Sequence, residues 1–377
     1  MKMLEAILFV LYAVLLGMFG LAVWRLRFAY THFTMKHLLT GKKMIESLPS
    51  VTVCIPARNE NHAMTDSLER VIASNYPKLE IIVLDDMSGD DTSSLIKAFA
   101  HDGVRFVEGS RLPIGWLGKN HALQALLKEA SGTYVLFMDV DTRLAPDSIE
   151  QLVSYAMQEQ AAMISVLPRR EDGPRASVLF STLRYFWEIM FHRKSAPATA
   201  SNAWMIHRKT LIDEFNGFES FKDAIQPEAR LSAALMATGK YRFLIGTEML
   251  GVSYEKKWRS QLSTSVRLLF PLLGAKIENV IIAALDLCIA AVPIFVVLAG
   301  PIVGWSIHQL IAGLIYLLFA GLYAMYLKKI WLRGWVAGAL LWPLITIQEA
   351  VLAIMSAIRY KQNVVTWKGR LVKALKS

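Results

Sequence analysis

Four stretches of this chain are apolar over a length that can cross a bilayer, and all four lie near its ends. Residues 3–24 are almost continuously apolar; residues 279–300, 308–327 and 334–357 form three more. A spanning helix needs about 20 such residues. A cleaved signal peptide has a shorter apolar run, with its basic residues in front. Here Arg25 and Arg27 follow the run, so residues 1–27 read as an uncleaved membrane anchor.

Charge follows the same division. Residues 1–50 carry 6 Lys/Arg against 2 Asp/Glu, residues 268–377 carry 10 against 3, and the middle carries 25 against 26. The net charge of +10 therefore flanks the apolar stretches, as the positive-inside rule expects. A nucleic-acid binder would place its basic excess on the folded domain, so no nucleic-acid partner is expected. The pattern predicts a multi-pass protein of the cell membrane. Arg25, Arg27, Lys36, Lys42 and Lys43 would hold the middle in the cytoplasm. Residues 268–358 form a C-terminal membrane region with two or three crossings, and residues 359–377 a basic tail. Three crossings would put that tail outside, against the charge rule. Pro343, Gln348 and Glu349 make a re-entrant or interfacial segment a second option for the last stretch.

Residues 178–194 are aromatic-rich but carry Arg184 and Glu188 and end on His192-Arg193-Lys194. That pattern fits a helix in the membrane interface, with a buried core helix as the alternative. The two cysteines, Cys54 and Cys288, have no metal-site spacing and read as small buried hydrophobes.

The middle, residues 45–267, reads as an α/β domain. Val51–Ile55, Glu80–Leu84, Arg105–Glu108 and Tyr134–Met138 are short strand-like runs, with helical stretches at Ala63–Ser74, Thr92–Ala100 and Asn120–Ala130. Strands alternating with helices predict a Rossmann-like, mostly parallel sheet, whose ligands bind beyond the carboxyl ends of the strands. Two acidic clusters sit there: Asp85-Asp86-Met87-Ser88-Gly89-Asp90-Asp91-Thr92, and Asp139-Val140-Asp141. A lone D-x-D is often only a turn. After an apolar strand it can hold a hard cation through oxygen, together with substrate phosphates. No G-x-x-x-x-G-K-[ST], G-x-G-x-x-G or G-x-S-x-G occurs, so P-loop, dinucleotide and serine-hydrolase chemistries find no motif.

Val53-Cys54-Ile55-Pro56-Ala57-Arg58-Asn59-Glu60, the acidic run at 85–92 and Met138-Asp139-Val140-Asp141 together resemble the family-two glycosyltransferases. Leu112-Pro113-Ile114-Gly115-Trp116-Leu117-Gly118-Lys119 and Val365-Thr366-Trp367-Lys368-Gly369-Arg370 are similar to segments of the membrane members that modify lipids. These include the ceramide glucosyltransferase-like enzymes and the diaponeurosporenoate type, which glucosylates a carotenoid acid. The resemblance implies the GT-A fold and inverting transfer of a sugar, glucose from a UDP donor being the common case. The acceptor would be a membrane lipid such as a carotenoid acid, another isoprenoid, a sphingolipid or a glycerolipid. It places Pro56, Ala57, Glu60, Asp86, Lys119 and Asp139 at the nucleotide sugar. Asp141, with Asp139, would hold Mn²⁺ or Mg²⁺. Trp258, Gln261, Trp367 and Arg370 fall in acceptor and C-terminal motifs.

An inverting displacement needs one base and charge stabilisation on the departing diphosphate. The family's base lies in an E-D dipeptide before an apolar helix. The matching positions here are Pro227 and Glu228, so Glu228 is the expected base and Asp223 the fallback. The family's Q-x-x-R-W motif is not intact: Gln261 and Arg267 stand at other spacing. That departure weakens the alternative of a polysaccharide synthase. Survival of both D-x-D acids weakens a second alternative, a non-catalytic membrane scaffold.

Overall fold

The computed structural model describes residues 2–34, 48–171, 179–193, 195–331 and 335–372. Lys36, Lys42, Lys43, Lys194, Arg333 and the end of the basic tail lie outside the described residues. The chain divides into two compact units. An α/β unit comprises residues 33–170 and 192–255; a helical unit comprises residues 1–32, 171–191 and 256–377. The α/β unit ends at Glu255, short of the expected 267 and just ahead of the motif residues Trp258 and Gln261, because the helix Trp258–Leu272 packs with the C-terminal helices.

In the α/β unit the expected order holds. β1 (Val51–Ala57) is followed by α2 (Asn61–Ile72), β2 (Leu79–Asp85), α3 (Thr92–Ala98), β3 (Val104–Glu108), α4 (Gly118–Glu129) and β4 (Tyr134–Met138). β5 (Thr142–Leu144), α5 (Ser148–Gln158), β6 (Met163–Leu167) and β7 (Arg169–Arg170) come next. After the excursion into the helical unit come β8 (Ala203–His207), α7 (Arg208–Asp213), α8 (Pro227–Ala237), β9 (Tyr241–Ile245) and β10 (Val252–Tyr254). Seven strands form one sheet in the order β3-β2-β1-β4-β8-β6-β9. All neighbours pair in parallel except β8, which runs antiparallel to both β4 and β6. β4 and β6 are buried along their whole length, which explains why they read as unbroken apolar runs rather than alternating ones. α2 covers the sheet with Met64, Leu68 and Val71, a helical stripe.

Glu80 stitches the amino ends of this sheet. Its carboxylate accepts from Thr52 Oγ1 at 2.5 Å and from both the N–H and Oγ of Ser131 at 2.9 Å. Burial alone would raise its pKa, but these hydrogen bonds and the Arg105 charge outweigh it and hold the carboxyl below the usual glutamate range.

The helical unit holds α1 (Lys2–His32), α6 (Arg184–Phe191), α9 (Trp258–Leu272), α10 (Ile277–Val303), α11 (Ile307–Ile330), α12 (Trp335–Leu340) and α13 (Trp342–Lys361). Among the described residues, α1, α10, α11 and α13 are long and apolar enough to cross a membrane. The last apolar stretch is broken at Leu341, with Pro343 in the first turn of α13. Cys54 is buried in β1 as expected, whereas Cys288 is exposed on α10. It corrects the reading of both as buried: an apolar helix can expose its whole outer face when that face suits lipid. α6 lies within the expected interfacial segment, and its Arg184 and Glu188 pair at 3.2 Å with little exposure, as in the alternative of a buried helix.

A pH titration tests the Glu80 stitch. A depressed native pKa contributes stability above the unfolded value of about 4.3 and loses it as pH falls through the native value. The unfolding midpoint of wild-type protein should therefore drop on acidification below about pH 4.3. Glu80→Gln should show a lower plateau above that pH and a shallower drop.

Candidate active site

Register sets the site. β1 Ala57 pairs with β2 Asp85, β2 Asp85 with β3 Glu108, and β1 Cys54 with β4 Phe137. The loops that follow β1, β2 and β4 therefore leave the sheet at one edge and at one level. Pro56, Ala57, Glu60, Asp86, Asp139 and Asp141 all sit on or beside these ends. Six of the expected donor and metal positions thus lie at the same end of the sheet.

Backbone and side-chain bonds bind the first two loops together. The Asp86 N–H donates to Ala57 O at 2.8 Å, and Arg58 Nη1 donates to the carbonyls of Asp86 and Met87. Asn59 donates from its N–H to Ser88 Oγ at 2.9 Å and accepts from Gly89 N–H at 2.8 Å. The Glu60 N–H donates to Thr92 Oγ1 at 2.8 Å. Asn59 (φ 52°) and Met87 (φ 56°) are left-handed, a conformation that Asn tolerates well. Asp86 is 2% exposed. Gly109, just after β3, lies against it: a Cβ there would meet Asp85 O at 2.6 Å and Asp86 Cα at 2.9 Å.

The D-x-D turn is held from the antiparallel side. The Asp139 N–H and Thr142 Oγ1 both donate to Asn202 O, at 2.9 and 3.0 Å, and the Thr142 N–H donates to Asp139 O at 3.0 Å. Lys119, in the first turn of α4, places its ammonium 2.6 Å from Asp139 Oδ1. The neighbour of the D-x-D across the small β5-β10-β7 sheet is Glu255, whose carboxylate accepts from Arg143 Nη2 at 3.0 Å. Arg143 also bonds Asp66. Burial would raise the Asp66 pKa, but hydrogen bonds from Arg143 and Arg70 hold it below the ordinary aspartate range.

A metal would find Asp139 and Asp141 here. Among the described residues no group of three or more His, Cys, Asp or Glu side chains stands close enough to form a complete cage. Two carboxylates suffice for Mg²⁺ or Mn²⁺ when substrate phosphates supply further oxygens, so the donor set fits such a cation in company with a diphosphate.

The two candidate bases differ in exposure. Glu228 sits in the first turn of α8 at 2% exposure, behind Pro227 at the helix start, where proline is well tolerated. Asp223 is exposed in the turn before it. His121 packs edge-on against Trp116, a structural contact. The remaining motif residues belong to the helical unit. Gln261 Nε2 donates to Phe180 O at 3.3 Å, Arg267 stacks over Trp367 at 5.9 Å, and Trp258 is exposed. Arg370 lies in β12 (Arg370–Leu371), paired with β11 (Thr366–Trp367). The sequence reading quoted Arg58 and Asn59 within its first motif but assigned them no role, and it missed Gly109, Asn120 and Asn202. Of these three only Gly109, a glycine directly after a strand, carried a local signal.

Residues 52–212 match the family Glycosyl transferase family 2. Two curated 4,4'-diaponeurosporenoate glycosyltransferases from Staphylococcus aureus strains are each 30% identical over 138 residues, 36% of this chain and 36% of the relative. The chain thus matches about a third of the length of these relatives. Mannosyltransferase PcManGT from Pyrobaculum calidifontis, solved in complex with GDP-Man and Mn²⁺, aligns at TM-score 0.57 and 20% identity, covering 94% of this chain and 98% of that one. That likeness shows the fold, GT-A with a mostly parallel mixed sheet.

Gly109→Ala tests the close approach to Asp86. Overpacking of this kind costs about 1–3 kcal/mol, which denaturant unfolding would show. Gly89→Ala, where a Cβ meets nothing within 4 Å, should cost less than Gly109→Ala.

Proposed function

We propose that this chain, which carries a glycosyl transferase family 2 domain over residues 52–212, is an inverting glycosyltransferase of the membrane. It moves a sugar, glucose from UDP-glucose in the first instance, to a lipid acceptor such as a carotenoid acid. The observation that carries this reading is the convergence of the loops after β1, β2 and β4 around Asp86, Asp139 and Asp141. Relatives named for diaponeurosporenoate, and the apolar helices at both ends, support a lipid acceptor.

In this reading Pro56, Ala57, Glu60 and Asp86 receive the nucleoside. Asp139 and Asp141 hold the divalent cation, which when bound supplies Lewis-acid stabilisation to the leaving diphosphate. Lys119 adds a positive charge beside the same phosphates. With an alcohol acceptor Glu228 accepts the hydroxyl proton while that oxygen bonds to the anomeric carbon; a carboxylate acceptor attacks through its own oxygen with no proton to give up. The bond from that carbon to the diphosphate oxygen breaks, and the diphosphate leaves with the electron pair. Asp223 is the second candidate for the base. Gln261, Trp258, Trp367 and Arg370 belong to the acceptor side.

The geometry of the helical unit supports a re-entrant last segment rather than a fourth crossing. Tyr316 donates to Leu340 O at 2.8 Å and Phe319 stacks on Trp342, so the α12–α13 junction lies beside the middle of α11. That level is roughly 20 Å of helix from the basic end of α11 at Lys328-Lys329. α13 then returns. Ser356 accepts from Phe270 N–H at 3.0 Å, and Tyr360 donates to Arg267 O at 2.7 Å. α9, which carries Arg267 and Phe270, follows the α/β unit after two residues. In this reading residues 335–361 enter and leave on one side, α1, α10 and α11 cross, and the charge rule would then be met by a basic tail that faces the cytoplasm.

Three measurements test these points. Asp141→Asn should abolish sugar transfer, since a neutral amide cannot balance the cation–diphosphate pair; full Mn²⁺-dependent activity of this variant would exclude the assignment. Glu228→Gln should lower kcat about 10²–10⁴-fold on an alcohol acceptor with nucleotide affinity kept. If Asp223→Asn loses turnover while Glu228→Gln keeps it, the base is Asp223. A reporter fused after residue 377 should read cytoplasmic, and an external signal would refute the re-entrant topology. The acceptor itself is sought by mass spectrometry of lipids from expressing and deletion strains.

A further inference from the structure

The first two turns of α4 hold two parts of the site at once. On one side Lys119 reaches Asp139 Oδ1 at 2.6 Å. The next residue, Asn120, is buried at 1% exposure and turns to the segment before α8. Its Nδ2 donates to Phe221 O at 2.7 Å, Lys222 O at 3.2 Å and Ala224 O at 2.7 Å. The Leu117 N–H donates to Lys222 O as well, at 2.8 Å. One turn on, Gln124 Oε1 accepts from the Phe218 N–H at 2.7 Å, and a Cβ on Gly217 would come within 2.5 Å of that oxygen.

The carbonyls that Asn120 holds bracket Asp223 directly, and the same backbone runs through Ile225 and Gln226 to Glu228. An amide presents two hydrogens and no negative charge, so three carbonyls converging on one amide nitrogen form a socket that accepts a donor and repels a carboxylate. A buried group with this many partners over a separation of more than 100 residues fixes the segment far more tightly than a surface contact could.

We infer that Asn120 is a positioning residue for sugar transfer: it sets the backbone carrying Asp223 and Glu228 at a fixed offset from the D-x-D turn, which the same helix engages through Lys119. The inference rests on the glycosyltransferase reading above. It adds that donor-side and base-side geometry are set by two successive side chains of one helix.

The test uses the full-length protein in detergent, with Mn²⁺, UDP-glucose or GDP-mannose as donor, and a long-chain polyene alcohol or carboxylic acid as acceptor. Asn120→Asp and Asn120→Ser are compared with Val153→Ala, a buried α5 substitution that lowers stability away from the site. Misplacement by about 1 Å can cost a hundredfold in rate. Asn120→Asp should therefore lower kcat by about 10- to 100-fold while nucleotide affinity and donor KM stay within about threefold. Asn120→Ser, which keeps one donor, should recover part of that loss. Val153→Ala should lower the melting temperature with kcat unchanged. The inference is overturned if folded Asn120 variants keep wild-type kcat, if kcat loss tracks melting temperature alike in Val153→Ala, or if neither Asn120 variant folds, which would make Asn120 a structural anchor. Wild-type protein that turns over no donor and transfers no sugar would instead refute the underlying functional reading.

Discussion

Parallel pairing of β1 with both β2 and β4 is the constraint on which the α/β unit depends. Parallel strands all finish at the same edge, so whatever the chain places after them is gathered without any further instruction. Here it places Arg58 to Glu60, Asp86 to Thr92, and Asp139 to Asp141. Three acidic or polar loops brought together in this way would repel or wander if left to water. The cross-bonds from Arg58, Asn59 and Thr92 tie the first loop to the second, and Asn202 ties down the third. The antiparallel strand β8 matters for that reason. By returning beside β4 it delivers the Asn202 carbonyl to the D-x-D turn.

The helical unit shows the same economy in a drier setting. Polar groups buried among apolar helices are costly unless satisfied. Gln261 and Gln348 both donate to Phe180 O, at 3.3 and 3.1 Å, and Glu349 accepts from the Leu183 N–H at 3.2 Å. Polar side chains from α9 and α13 thus bond backbone groups at the entrance to α6. They explain why Gln348 and Glu349 can interrupt an apolar stretch: the partners are backbone groups of a distant segment rather than solvent.

What the sequence made legible was local. β1, β2 and β4 announce themselves because short apolar runs end in polar turns, and α2 because its apolar residues repeat at helical spacing. The return strand β8 and the split of the last apolar stretch were not legible in the same way. Nothing in Ala203–His207 distinguishes an antiparallel neighbour from a parallel one, and the break at Leu341 depends on where α11 offers Tyr316 and Phe319. The boundary at 255 rather than 267 has the same origin, since α9 carries polar residues on one face but packs its other face on α13. Asn120 lay one residue beyond a recognised motif, yet its partners are more than 100 residues away, out of reach of any periodicity.

The chemistry of the acceptor decides how much of this machinery bears on rate. An alcohol must surrender a proton as it attacks, so under the proposed assignment the basicity of Glu228 or Asp223 would enter the barrier directly. A carboxylic acid is already ionised at neutral pH and has no proton to surrender. A base carboxylate beside it would add like-charge repulsion rather than assistance. For such an acceptor the favourable terms are the positive charge near the diphosphate and the accuracy with which the attacking oxygen is held in line with the anomeric carbon. In the proposed reading Lys119 and a cation held by the D-x-D turn would govern the first, and the pinned segment from Phe218 to Glu228 the second. A transferase that serves an anionic lipid would therefore depend more on Asn120, which sets geometry, than on the pKa of any carboxylate in the segment it holds.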